Sequence, residues 1–271
     1  MSHVICQFEE CANPAAEAGS PPARFARVRL QNAGKFNAMS RAMWVQLRDV
    51  FVALQEQTRA ANPVRCVLIE GADEHFCAGG DIAEFPSFRF ESDSLRAFHE
   101  EEVWGALAAL LALNCPLIAA IDGNCMGAGL EIASCCDSRI ATAHSRYGAP
   151  IAKLGFPMAP REAAVVCRAV GETCARAILL EAAIYSAPEM LCNGFLTRVV
   201  EDAAALQADS QRSIARICQL GPACARMNKQ TLRALNNATP MADLPDAYAY
   251  ASSAEHREGI TAFLEKRPPR F

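Results

Sequence analysis

Two short, nearly continuous apolar runs constrain this chain most: Val64-Arg-Cys-Val-Leu-Ile69, stopped at Gly71, and Leu117-Ile-Ala-Ala-Ile121, stopped at Asp122-Gly123. Runs of this length, bounded by proline before and glycine after, are too short for helices and read as buried-type strands. Each is followed by a turn rich in small residues and then by a helical pattern. Strand, helix and strand therefore alternate, which argues for an α/β core.

The flanking segments fit that plan. Residues 12 to 24 carry Asn, Gly, Ser and three prolines and read as a loop or hairpin tip between two extended pieces. Phe25 to Leu30 alternates with period two, as a strand does. Ser40 is an N-cap, after which Met43, Leu47, Val50, Phe51 and Leu54 recur at three and four, predicting a helix to about Gln57. Further helices are expected over Leu95 to Leu113 and over Gly127 to Cys136, with a strand at Ser138 to Ala143. Beyond Glu162 the pattern is mainly helical, with a capping box at Ser186-Ala-Pro-Glu189 and one extended piece at Leu196 to Val200. After Ala203 only helical signals remain, broken at Gly221-Pro222 and Thr239-Pro240. The chain divides into a core of residues 1–202 and a helical C-terminal region of 203–271.

Composition excludes several classes. Lys and Arg number 26 against 30 Asp and Glu, a net charge of −4, which argues against a phosphate-backbone binder, so no nucleic-acid partner is expected. No apolar stretch reaches the roughly 18 to 20 residues of a bilayer span, since Asn114 and Pro116 interrupt the longest, and no membrane partner is expected. The N-terminus lacks a basic region followed by an apolar one. Thirteen cysteines without that signal point to reduced thiols and a cytoplasmic setting. They show no Cys-x-x-Cys spacing, and the five histidines form no His-x-x-x-His pair, so no metal site is expected. Packed thiols acting as small hydrophobes are the expectation.

Chemistry concentrates at the two turns, His75-Phe-Cys-Ala-Gly-Gly-Asp81 and Asp122-Gly-Asn-Cys-Met-Gly-Ala-Gly-Leu-Glu131. Taken singly, each reads either as a closely packed strand-to-helix connection or as a place where a substrate reaches unpaired main-chain N–H groups. Two such turns can converge on one oxygen and act as an oxyanion hole. Neither has the spacing of a dinucleotide fingerprint. Glu131, about one helical turn beyond Ala128, reads either as a dipole-stabilising residue or as a buried carboxylate with a shifted pKa; its apolar neighbours favour the second.

Phe76-Cys-Ala-Gly-Gly-Asp-Ile82, Ala120-Ile-Asp-Gly-Asn-Cys-Met-Gly-Ala-Gly-Leu-Glu-Ile-Ala133, Cys136-Asp-Ser-Arg-Ile-Ala141 and Ala262-Phe-Leu-Glu-Lys-Arg267 together resemble the enoyl-CoA hydratase/isomerase, or crotonase, superfamily. Gly34-Lys-Phe-Asn-Ala-Met39 resembles that family's N-terminal motif. The resemblance runs from about Arg24 to Arg267 and implies an α/β spiral of ββα turns with a C-terminal helical trimerisation region, assembling as a homotrimer or hexamer. It implies an acyl-CoA substrate, an enolate intermediate, and no cofactor beyond the coenzyme A of the substrate itself. The hole would be formed by the N–H groups of Gly80 and Ala128, with Glu131 as acid/base group. Lys35, Ala38, Ala78, Asp81 and Ile82 match positions near the pantetheine or nucleotide, Gly127 and Ile151 lie in matching substrate-binding stretches, and Phe263 and Lys266 match C-terminal positions that reach the adenine and ribose phosphate.

One position departs from the family. Hydratases carry a second Glu after Tyr/Phe-Gly-x-Pro, and here Tyr147-Gly-Ala-Pro is followed by Ile151, which transfers no proton. A missing general acid or base costs roughly 10²- to 10⁴-fold in rate. Glu162 either supplies the missing carboxylate or, with Arg161, forms a solvated first helical turn; the solvated turn is the expectation. Alternatively Glu131 works alone, as suits a CoA-thioester decarboxylase or hydrolase on the same scaffold, or the chain is a non-catalytic acyl-CoA-binding homologue. Cys77, beside the first turn, has no base partner visible in the sequence and is expected to be a packed thiol.

Overall fold

The computed structural model describes residues 2–11, 22–236 and 248–271. The strands are β1 (Ser2–Cys11), β2 (Ala23–Asn32), β3 (Val64–Gly71), β4 (Leu117–Ile121), β5 (Asn124–Met126), β6 (Ser138–Thr142), β7 (Arg146–Gly148), β8 (Ile184–Ser186) and β9 (Arg198–Val200). One sheet runs in the order β1-β2-β3-β4-β6-β9, antiparallel only at β1–β2, and a second runs β5-β7-β8. The helices are α1 (Arg41–Gln57), α2 (Ser92–Ala97), α3 (Trp104–Ala112), α4 (Ala128–Ser134), α5 (Pro160–Val170), α6 (Glu172–Leu180), α7 (Ala187–Cys192), α8 (Ala203–Cys218), α9 (Pro222–Asn236) and α10 (Ala254–Leu264).

The apolar runs are continuous because the main sheet is covered on both faces. Val67 and Ile69 of β3 and Leu117, Ala119 and Ile121 of β4 point into the main core, whereas Cys66, Leu68, Ile118 and Ala120 meet Leu206, Ile214 and Cys218 of α8 on the other side. Successive strand side chains alternate between faces, so a sheet buried twice needs apolar residues at every position. Helix α1 begins where its cap predicts, with the Ser40 hydroxyl accepting from the Met43 N–H at 3.2 Å, and it buries Met43, Trp44, Leu47, Phe51 and Leu54 against α3 and β1.

Several expectations shift at their edges. Strand β2 extends two residues to either side of Phe25–Leu30, taking in Ala23 and Arg24; residues 12–21 of the expected loop lie outside the described residues. The expected helix over Leu95 to Leu113 starts earlier, at Ser92, and is interrupted by a wider π-helical turn at Phe98–Val103. The Ser186–Glu189 capping box opens α7, with the Ser186 N–H donating to Glu189 Oε2 at 2.7 Å. The break at Gly221-Pro222 separates α8 from α9, while Thr239-Pro240 falls outside the described residues. The second sheet was not visible in the sequence pattern. No helix among the described residues is long and apolar enough to cross a membrane.

Leu47 is fully enclosed in the main core. Leu47→Ala removes that packing and leaves a cavity, and denaturant unfolding is expected to show a loss of about 2–5 kcal/mol. A loss near zero would mean that α1 does not close the core.

Candidate active site

Backbone pairing brings the two glycine turns together. Phe76 N–H donates to Asp122 O at 2.7 Å, Cys77 N–H to Asn124 O at 2.8 Å, and Met126 N–H to Cys77 O at 2.9 Å. On its other edge the first turn pairs with the loop before α1: Ala78 N–H donates to Phe36 O at 3.0 Å, Met39 N–H to Gly79 O at 2.8 Å and Asp81 N–H to Met39 O at 2.8 Å. Gly79 (φ +116°) and Gly127 (φ +47°) adopt backbone conformations that side chains disfavour. A Cβ on Gly127 would stand 3.5 Å from Gly79 Cα, so the turns touch at their glycines.

Just past each of these glycines lies one of the two amides of interest. Among the described residues, neither the Gly80 nor the Ala128 N–H donates to a protein acceptor. Ala128 opens α4, where a helix leaves its first N–H groups unpaired. Gly80 and Ala128 line one cavity of about 200 Å³, whose apolar walls include Trp44, Phe85, Val103, Met126, Ile151 and Phe156. A largely apolar cavity with two free amides at its wall is suited to a ligand with a polarisable oxygen on an apolar stem.

Glu131 lines this cavity and is 7% exposed. Burial, and then the charge of Glu162, hold its carboxyl well above the usual carboxylate range. Glu162 is the larger surprise. The expected solvated turn is wrong for it: Glu162 is 3% exposed and lines the same cavity, with Oε1 2.7 Å from His99 Nδ1. Only Arg161 follows the expectation, turning outward to Glu100 at 3.2 Å and over the Trp104 ring. The residues separate because Glu162 shares the inward face of α5 with Val165 and Val166, at the three- and four-residue spacing of a buried helical stripe.

The other expected residues divide into two groups. Ala78, Ile82, Gly127 and Ile151 line the cavity with Gly80, Ala128 and Glu131. Lys35 stands at an exposed position and pairs its Nζ with Asp81 Oδ2 at 2.6 Å; Asp81 in turn caps the short turn that begins at Ile82, and Ala38 is buried beside them. Phe263 and Lys266 are not brought to the cavity by this chain; Phe263 is 82% exposed. Cys77 is fully buried, with its thiol accepting from Gly79 N–H at 3.5 Å, and burial pushes it up to about 12, which makes it a poor nucleophile. His99 and Arg89 also stand at the cavity wall, and neither belongs to a motif of the sequence. His99 lies 63 residues from Glu162, and no local pattern links them.

The α/β architecture of two sheets with C-terminal helices defines the crotonase fold. A solved structure described as an enoyl-CoA hydratase/carnithine racemase from Magnetospirillum magneticum superposes with a TM-score of 0.85 at 34% identity, covering 91% of each chain. The family model for enoyl-CoA hydratase/isomerase matches residues 22–271, and the chain belongs to that family, whose members act on acyl-CoA. It is 31% identical over 212 residues to "Probable enoyl-CoA hydratase echA8" of Mycobacterium bovis, covering 77% of this chain and 80% of that one. It is 29% identical over 249 residues to the crotonyl-CoA hydratase of Syntrophomonas wolfei, covering 87% and 89%.

The environment of Glu131 makes a stability prediction. A carboxyl whose folded pKa is raised contributes stability at pH below its unfolded value and loses it as pH rises through the folded value. Glu131→Gln removes that loss. The melting temperature of the variant relative to the native protein is expected to climb as pH is raised from 5 to 9; a pH-independent difference would place Glu131 in a solvated setting.

Proposed function

We propose that this chain is an acyl-CoA lyase or isomerase of the enoyl-CoA hydratase type, working through an enolate. In this reading the thioester oxygen accepts from the Gly80 and Ala128 N–H groups and Glu131 moves a proton at the acyl carbons. The observation that carries it is the pairing of the two turns, which sets two unbonded amides and a buried carboxyl on one cavity. Negative charge that gathers on the oxygen in the transition state is stabilised by donors already in place, and removing one such donor costs about 3 kcal/mol in comparable sites.

In this reading Lys35, Ala38, Ala78, Asp81 and Ile82 bind the pantetheine or nucleotide, and Gly127 and Ile151 contact the acyl group; the Lys35–Asp81 ion pair and the cavity-lining places of Ala78, Ile82, Gly127 and Ile151 support it. Phe263 and Lys266, exposed on this chain, serve the nucleotide of a neighbouring subunit in a homotrimer or hexamer built by residues 203–271. The free thiols support a reducing, cytoplasmic setting. Ile151 at the cavity wall favours a second reading, in which the same hole supports decarboxylation or hydrolysis of a CoA thioester with Glu131 as its acid.

Crotonyl-CoA, a substrate named by one relative, and methylmalonyl-CoA separate these readings. The enolate reading expects loss of the conjugated chromophore of crotonyl-CoA, with kcat falling about 10²- to 10⁴-fold in Glu131→Gln. Release of CO₂ from methylmalonyl-CoA with no hydration would select the second reading, and unchanged turnover in Glu131→Gln would overturn the role given to that residue.

A further inference from the structure

A glutamate in the first turn of a helix ordinarily faces water and complements the helix dipole. Glu162 does neither. It is buried at the cavity wall, and its neighbour Arg161 takes the solvated role. Its partner, His99, comes from the π-helical turn at Phe98–Val103, an irregularity often found at functional sites. The far nitrogen of that ring, Nε2, stands 3.5 Å from Arg89 Nη1, and the Arg89 guanidinium lies 3.8 Å from the centre of the Phe156 ring and 4.7 Å from that of Phe85. These neighbours assign the tautomer: Nδ1–H donates to Glu162, and the Nε2 lone pair faces Arg89. The chain Arg89–His99–Glu162 thus fixes one carboxylate at a cavity that already holds Glu131.

We propose that Glu162, held by His99, is the second acid/base carboxylate of this site, supplied from α5 in place of the one that Ile151 lacks, and that it works as a pair with Glu131. The proposal rests on the acyl-CoA reading above. Two carboxyl groups at one buried cavity resist double ionisation, and burial together with the charge of Glu162 raises the Glu131 carboxyl, which favours the proton there. One residue is then an acid and the other a base at the same pH, as addition of water requires. Glu162 takes a proton from water as its oxygen bonds to Cβ. The electron pair of the double bond moves onto the thioester oxygen, and Cα then collects the proton of Glu131 as the enolate collapses. Glu131 is left as the carboxylate and Glu162 as the acid, and proton exchange through water restores the pair.

The charged and titratable groups facing the pair are His99 and Arg89, with the buried thiols of Cys77 and Cys135 behind Glu131. Burial pushes both thiols up, so neither competes with the carboxyl pair for a proton.

The test uses the full chain with two probes: hydration of crotonyl-CoA, and exchange of the α-protons of butyryl-CoA in D₂O, with calorimetric binding of butyryl-CoA as the check on folding and affinity. Glu162→Gln is expected to lower kcat for hydration by about 10²- to 10⁴-fold, to retain the α-exchange that Glu131 carries out, and to change the butyryl-CoA Kd by less than about threefold. Glu162→Asp, which keeps the charge but shortens the reach, is expected to recover part of the loss, and His99→Asn to lower kcat with KM unchanged while retaining measurable turnover. Native kcat in Glu162→Gln across the pH range, beside an inactive Glu131→Gln, overturns the pairing and leaves the acyl-CoA reading standing. Should Glu162→Gln fail to bind butyryl-CoA, native kcat in Glu162→Asp overturns it instead. Absence of both reactions in the native protein overturns the acyl-CoA reading and this proposal with it.

Discussion

Three backbone hydrogen bonds between residues 76–77 and 122–126 hold the site together. They extend the parallel pairing of β3 with β4 past the ends of those strands, so that two turns far apart in sequence run side by side before diverging into the short turn at Ile82–Ser87 and helix α4. Each such bond contributes only about 0.5–1.5 kcal/mol net. Their larger effect is geometric: they fix the positions of two amides whose free N–H groups would otherwise wander with their loops. The covered sheet behind them supplies the rigidity, because its strands are packed on both faces.

The same burial sets the electrostatics. Carboxyl groups avoid apolar cavities unless they are protonated or partnered, and the two at this wall use different solutions. Burial holds the Glu131 carboxyl well above the usual carboxylate range, whereas Glu162 is partnered by His99. The apolar wall formed by Phe85, Phe156 and Ile151 keeps the local dielectric low, which strengthens each of these interactions. Ile151 is thus part of the environment that sharpens the remaining polar groups.

Much of the scaffold was legible in the sequence because its signals are local. Ser40 and the three-four recurrence from Met43 to Leu54 locate α1 within a residue of its observed ends. The runs at Val64–Ile69 and Leu117–Ile121 reveal the central strands because both faces are covered. The strands β5, β7 and β8 are three residues each, too short to show a period, and their pairing depends on the turns around them. Glu162 illustrates the limit for the site. Its adjacency to Arg161 resembles a solvated turn, while its spacing to Val165 and Val166 is that of a buried stripe, and only the second signal matches the structure. The contact with His99 is a product of tertiary packing that no window of sequence contains. Phe263 and Lys266 show the converse, a motif visible in the sequence whose residues a single chain leaves exposed.

The central claim is that one thioester oxygen lies between the Gly80 and Ala128 amides. The vibrational spectrum of butyryl-CoA labelled with ¹³C at the thioester carbonyl, bound to the native protein and compared with the free ligand, reads that claim directly. Two donors drawing charge onto the oxygen must lower the carbonyl stretching frequency on binding. A bound carbonyl that absorbs at the free-solution frequency would contradict the account.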